Sequence, residues 1–184
     1  CASGGRRIDL ETCTRAIPLW RSDNTCDMVD LRESTILAAA IENQVMSAGL
    51  NRYLPYSLVG QMGADPYRFR SGFNGGIAFI DDCRPAGYPR DLLRKAVAEG
   101  KRIRKYYFGD FYPLVPVTDG AGDWCVLQYH LPAEEEGMIL AFRRHESRVA
   151  EMNLSIRDIV PTAEYDVTLS PGYERLAPIR LKGR

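Results

Sequence analysis

The sequence predicts an α/β fold over residues 1–118, followed by an antiparallel β region over residues 119–184. Two observations lead to this prediction. In the first part, short apolar runs alternate with longer segments whose apolar residues recur every three or four positions, as in parallel strands joined by helical crossovers. After residue 123 the apolar period changes to two, which is typical of strands with one buried face.

The first part contains the elements of this alternation in order. Residues 17–20 (IPLW) form a short apolar run that predicts a strand, and residues 31–50 predict an amphipathic helix closed near Gly49. Further strands are predicted at residues 53–58 and 77–80, and a second helix from Pro89 to about residue 107. This order fits a doubly wound sheet or a βα barrel, and the pattern alone does not choose between them.

The second part begins at the turn-forming cluster DGAGD, residues 119–123. Strands are predicted at residues 124–131, 137–145, 153–159 and 165–169. A complete sandwich has about seven strands, so four strands predict an incomplete antiparallel β domain.

Composition gives no sign of a nucleic-acid or membrane partner. Acidic and basic residues balance at 24 each, and no segment approaches the ~20 apolar residues that cross a bilayer. The second predicted helix is strongly basic, but its apolar stripe predicts an ordinary solvated outer face. The basic residues are Arg90, Arg94, Lys95, Lys101, Arg102, Arg104 and Lys105.

Cysteine and histidine usage predicts no metal and no cofactor. The five cysteines form no CxxC pair, and an odd number argues against a complete disulfide framework. Reduced thiols favour a cytoplasmic location. The two histidines, His130 and His145, have no carboxylate or cysteine at metal-ligand spacing in the sequence and receive no role.

Two segments carry residues suited to sugar chemistry. CASGGRRID, residues 1–9, places two glycines where a backbone can approach a ligand, or it is a plain turn in which Asp9 caps the next helix. PLWRSD, residues 18–23, ends a predicted strand with Trp20 and Asp23. An indole can stack on the apolar face of a sugar while a carboxyl group addresses the glycosidic oxygen. Alternatively, Trp20 belongs to the core and Asp23 caps a turn.

Together, CxxGGxRxD and WxSD resemble the signature of glycoside hydrolase family 36. The resemblance implies a retaining α-galactosidase that needs no cofactor and acts on a galactose-containing oligosaccharide or glycoside. It also implies the C-terminal part of a (β/α)8 TIM barrel over residues 1–118, with strands five to eight, followed by a partial antiparallel β-sandwich domain. In this scheme Cys1 ends strand five, Asp23 follows strand six, and residues 53–58 and 68–80 form strands seven and eight.

The resemblance also assigns roles to individual residues. It places Cys1 and Gly4 at the galactose 2-hydroxyl, Trp20 against the sugar and Asp23 as the catalytic acid/base. Arg7 completes the match to the first motif and is assigned to substrate binding.

The family's nucleophile lies in a lysine-x-aspartate motif upstream of the cysteine motif, and no residue of this chain matches it. The expectation is therefore a C-terminal fragment of a larger enzyme, whose homo-oligomeric state stays open. Galactosyl transfer of the raffinose or stachyose synthase type, and a non-catalytic sugar-binding or structural module, are the alternatives.

Overall fold

The structure is a computed structural model that describes residues 10–15, 19–20, 33–54, 56–61, 63–76, 78–79 and 82–183. Its α-helices are α1 (Leu10–Arg15), α2 (Glu33–Leu50), α3 (Pro66–Gly72) and α4 (Arg90–Ile103). Two 3-10 helices span Arg104–Phe108 and Pro132–Glu134. Its strands are β1 (Leu19–Trp20), β2 (Ser57–Leu58), β3 (Gly60–Gln61), β4 (Ala78–Phe79), β5 (Asp110–Pro113), β6 (Trp124–Leu131), β7 (Glu136–Arg143), β8 (Glu164–Val167) and β9 (Ile179–Lys182).

The first part contains parallel strands joined by helices, as the sequence predicts. Strand β1 pairs in parallel with β2, and α2 connects them. Strand β3 pairs in parallel with β4 across α3, and Ser57 forms a parallel bridge with Gly75. The predicted βαβ connection is therefore confirmed for β1, α2 and β2, whereas the unit formed by β3, α3 and β4 was not predicted.

The prediction of part of a (β/α)8 barrel is nevertheless wrong. In the described residues each parallel strand is two residues long, and the strands form two separate two-stranded sheets. The expected strand at residues 68–80 is mostly replaced by α3, because Asp65 caps that helix and Pro66 fits its first turn. The Arg68 backbone N–H donates to Asp65 Oδ1 at 3.0 Å.

The predicted partial sandwich is also wrong. In the described residues the antiparallel strands form a three-stranded sheet, in the order β5-β6-β7, and a separate pair, β8-β9. All four residues of β9 are exposed, so no second sheet among the described residues covers their side chains. Residues 153–159 form no strand, because the side chain of Gln128 binds both backbone polar groups of Arg157.

Aromatic rings from α3 and its C-cap, from the 3-10 helix after α4 and from strand β6 form the centre of the core. Phe69 and Phe73 lie 5.2 Å apart between ring centroids, and Phe73 meets Tyr107 edge-on at 5.4 Å. Tyr107 in turn contacts Tyr129 of β6 at 4.6 Å. This chain of rings joins the helical layer to the sheet.

Polar groups also connect the buried face of α2 to its neighbours. Gln44 donates from Nε2 to Ser71 Oγ at 2.9 Å, and its Oε1 accepts from Arg144 Nε at 3.1 Å. Arg144 also donates to the Gly120 carbonyl at 2.8 Å. Because buried polar groups are costly when unpaired, these bonds allow a polar helix face to enter the core.

Helix α4 has the two faces that the sequence predicts. Its seven predicted basic positions, including those in the 3-10 helix that follows, are exposed, whereas Ala96 and Ile103 are buried. In the part of the chain that the structure describes, no helix is both long and apolar enough to span a bilayer.

Gly75 adopts a backbone conformation that favours glycine, with φ of 86°, and an added Cβ would lie 2.3 Å from the buried Tyr56 ring. We expect Gly75→Ala to lower the free energy of unfolding by about 1–3 kcal/mol, through backbone strain and overpacking. Chemical denaturation measures the change. In the matched variant Gly49→Ala nothing lies within 4 Å of the added Cβ, so helix propensity should raise stability by about 0.5–1 kcal/mol. Equal effects of the two variants would contradict this account.

Candidate functional site

Most of the residues predicted to bind the sugar lie outside the described residues. These are Cys1, Gly4, Arg7 and Asp23. Trp20 is described through its backbone, as the last residue of β1 and the register partner of Leu58. Helix α1 begins at Leu10, directly after the glycine-rich motif.

The carboxyl ends of the parallel strands are the edge at which α/β proteins place their ligands. Strand β1 ends at Trp20, and β3 ends at Gln61, shortly before α3. At the start of α3, Arg68 Nε donates to Asp65 Oδ2, and these two side chains are 33% and 36% exposed. The turn between β3 and α3 therefore presents a charged donor and acceptor to solvent.

A second group of chemically capable side chains lies on the three-stranded sheet. Asp110 of β5 and His130 of β6 are direct cross-strand partners, and Asp158 approaches them from the loop before β8. One potential ligand atom from each of the three residues lies within 4.8 Å of the other two. His130 Nδ1 is 3.9 Å from Asp158 Oδ2. We call these three residues the Asp–His–Asp cluster.

Hydrogen bonds to neighbouring residues hold Asp158 in this cluster. The buried Gln128 side chain accepts from the Arg157 N–H at 2.9 Å and donates to the Arg157 carbonyl at 2.7 Å. Asp158 itself has φ of 57°, a left-handed conformation that aspartate tolerates better than most residues. Tyr112 hydrogen-bonds to the Asp158 carboxylate, and this bond is the main cause that raises the pKa of Tyr112 to about 12.

The interpretation of the sequence missed this cluster because its members are far apart along the chain. Part of the information needed to find the cluster was nevertheless present in the sequence. Side chains alternate along a strand, so the predicted strand at residues 124–131 already placed Gln128 and His130 on the same face. The position of Asp110 could not be predicted in this way, because it depends on strand β5, which pairs with β6 and brings Asp110 beside His130.

The thiol of Cys125 is not a candidate nucleophile. Burial raises its pKa to about 11, so it stays protonated near neutral pH. Cys83 lies at an intermediate level of exposure.

No protein-family model, curated protein or solved structure matches this chain. The resemblance to glycoside hydrolase family 36 therefore depends on the two sequence motifs alone.

Proposed function

We propose that this chain provides the acid/base carboxylate, Asp23, of a retaining glycoside hydrolase that acts on terminal α-galactosides. The observation that carries the proposal is the pair of motifs CxxGGxRxD and WxSD, separated as in glycoside hydrolase family 36.

The position of the second motif supports this proposal. Strand β1 ends at Trp20, pairs in parallel with β2 and is joined to it by α2. Asp23 follows Trp20 by three residues. Trp20 therefore ends a parallel strand, and the carboxyl ends of such strands are where α/β proteins bind ligands.

In the proposed reaction Asp23 acts twice. It first donates its proton to the glycosidic oxygen while an aspartate nucleophile attacks the anomeric carbon, which releases the aglycone and leaves a covalent galactosyl intermediate. It then accepts a proton from the water that attacks this intermediate, so galactose leaves with its configuration retained. No residue of this chain is assigned as the nucleophile. Trp20 provides the apolar stacking surface, Arg7 contributes to substrate binding, and Cys1 and Gly4 contact the 2-hydroxyl.

The test uses Asp23→Ala in the protein expressed from its complete reading frame. Hydrolysis of an unactivated α-galactoside should fall by about 10²–10⁴-fold, the usual contribution of a general acid or base. With a 2,4-dinitrophenyl α-galactoside the leaving group needs no proton, so the covalent intermediate should still form. Added azide should then trap the intermediate as α-galactosyl azide, identified by NMR.

The matched control is Asp30→Asn, which changes a carboxylate seven positions along the chain and should keep its activity. Formation of β-galactosyl azide by Asp23→Ala would identify Asp23 as the nucleophile instead. Unchanged hydrolysis of the unactivated substrate would refute its catalytic role. Adding sucrose as an acceptor to the unmodified protein separates hydrolysis from galactosyl transfer.

A further inference from the structure

We propose that Asp110, His130 and Asp158 bind a divalent transition-metal ion of the zinc class, which fixes the loop before β8 to the three-stranded sheet. This site is independent of the proposed glycosidase activity.

The donor set is appropriate for such an ion. Zinc binds imidazole nitrogen and carboxylate oxygen, whereas magnesium and calcium prefer oxygen ligands alone. Metal–ligand bonds of about 2.0–2.2 Å in a tetrahedral site place neighbouring donor atoms roughly 3.3 Å apart. The 3.9 Å between His130 Nδ1 and Asp158 Oδ2 is close to that separation, and a small inward movement of Asp158 closes the difference.

An unpaired buried atom provides the second, independent observation. The His130 Nδ1 atom is buried and has no hydrogen-bond partner among the described residues. The ring as a whole is 17% exposed, and Asp158 Oδ2 is too distant to form a hydrogen bond with Nδ1. Leaving a buried polar atom unpaired costs free energy, and an ion placed between nitrogen and carboxylate removes that cost.

Supporting contacts already position Asp158, and strand pairing positions the backbone of the other two ligands. The register of β5 and β6 places the backbones of Asp110 and His130 opposite each other. The Gln128 side chain fixes the backbone next to Asp158, and Tyr112 hydrogen-bonds to the Asp158 carboxylate. Outer-shell hydrogen bonds of this kind orient metal ligands and increase affinity.

The charge of the site matches a divalent ion. Two carboxylates and a neutral imidazole compensate the charge of +2, and three protein ligands leave a fourth position for water. Because the loop before β8 supplies one of the ligands, binding links that loop to the sheet. An ion that binds only the folded protein raises its stability by mass action.

The experiment measures metal binding by the intact protein after treatment with a chelator. Titration with Zn²⁺ should show one equivalent bound and a higher unfolding temperature. Co²⁺ should give visible absorption bands typical of a site with nitrogen and oxygen ligands. His130→Gln and Asp158→Asn should each weaken Zn²⁺ binding by about 100-fold. Loss of an outer-shell partner weakens metal binding by about 10- to 100-fold, and loss of a direct ligand should cost at least the upper value.

The only other histidine in the chain provides the matched control. His145→Gln should leave Zn²⁺ affinity unchanged, because His145 is not part of the Asp–His–Asp cluster. The proposal is overturned if Zn²⁺ fails to bind, or if His145→Gln weakens binding as much as His130→Gln. It is also overturned if Asp158→Asn, with a circular dichroism spectrum like that of the unmodified protein, keeps full affinity.

Discussion

Arg70→Met is expected to lower the free energy of unfolding by about 3–5 kcal/mol. Glu99 is only 4% exposed, and Arg70, 15% exposed, binds both of its carboxylate oxygens at 2.8 Å. Removing the guanidinium leaves a buried carboxylate whose other described partner is Arg102, at 3.3 Å. Arg70 also donates to the Ser170 carbonyl at 2.8 Å, and that bond is lost as well. Urea denaturation of both proteins measures the difference.

Arg180→Met is the matched control for this prediction. Arg180 also binds a carboxylate through two nitrogens, at 2.9 and 3.3 Å from Asp166, but this pair is exposed to solvent. Exposed pairs contribute little, so stability should hardly change. The double variant Arg70→Met/Glu99→Leu should recover much of the loss, because no buried charge then remains unpaired. A double variant as unstable as Arg70→Met would show that the buried charge is not the cause.

Phe73→Ala is expected to cost about 3–5 kcal/mol, the usual range for removing a buried phenyl ring. The Phe73 ring lies between Phe69 and Tyr107, and it is almost completely buried. Its loss leaves a cavity between α3 and the 3-10 helix that follows α4. For a chain of this length the unfolding temperature should fall by about 6–20 °C, measured by calorimetry.

Two further substitutions separate a cavity effect from a general effect of losing an aromatic residue. Phe73→Leu keeps most of the apolar volume and should cost less than Phe73→Ala. Tyr53 is 83% exposed, so Tyr53→Ala should change stability by no more than about 0.5 kcal/mol. A loss from Tyr53→Ala comparable to that from Phe73→Ala would contradict the proposed role of the ring chain.

Elements whose residues decide their own structure were predictable from the sequence. Strand β6 has the predicted bounds, because an uninterrupted run of strand-forming residues lies between turn-forming segments. Helix α4 was predictable because its apolar and basic residues separate onto two faces. Helix α2 matches residues 31–50 closely, although its buried face includes the polar residues Asn43, Gln44 and Ser47.

Elements that depend on distant partners were not predictable. Strand β5 is only four residues long and exists through its pairing with β6. Strand β9 lies in the C-terminal segment, for which the sequence predicts no strand, and it pairs with β8. The barrel prediction failed because it took one continuous strand over residues 68–80, where Asp65 and Pro66 instead begin a helix.

The two candidate sites also differ in whether their residues are close together or far apart in the sequence. The two motifs proposed to bind the sugar consist of residues close together in the sequence, so their pattern is visible without the structure. The Asp–His–Asp cluster combines two strands and a loop, and no local pattern connects Asp110 with Asp158. The sequence analysis gave His130 no role, because only cross-strand register and the Gln128 bonds bring Asp110 and Asp158 beside it.

The partners of Arg70 also set an order of events during protein synthesis. Its guanidinium binds Glu99 and the carbonyls of Ser170 and Gly172, and the Tyr173 hydroxyl donates to the Ala64 carbonyl at 2.6 Å. The ribosome produces the chain from its amino terminus. Ser170, Gly172 and Tyr173 therefore emerge about a hundred residues after Arg70. The hydrogen bonds that join Arg70 and Ala64 to residues 170–173 can therefore form only after residue 173 has left the exit tunnel.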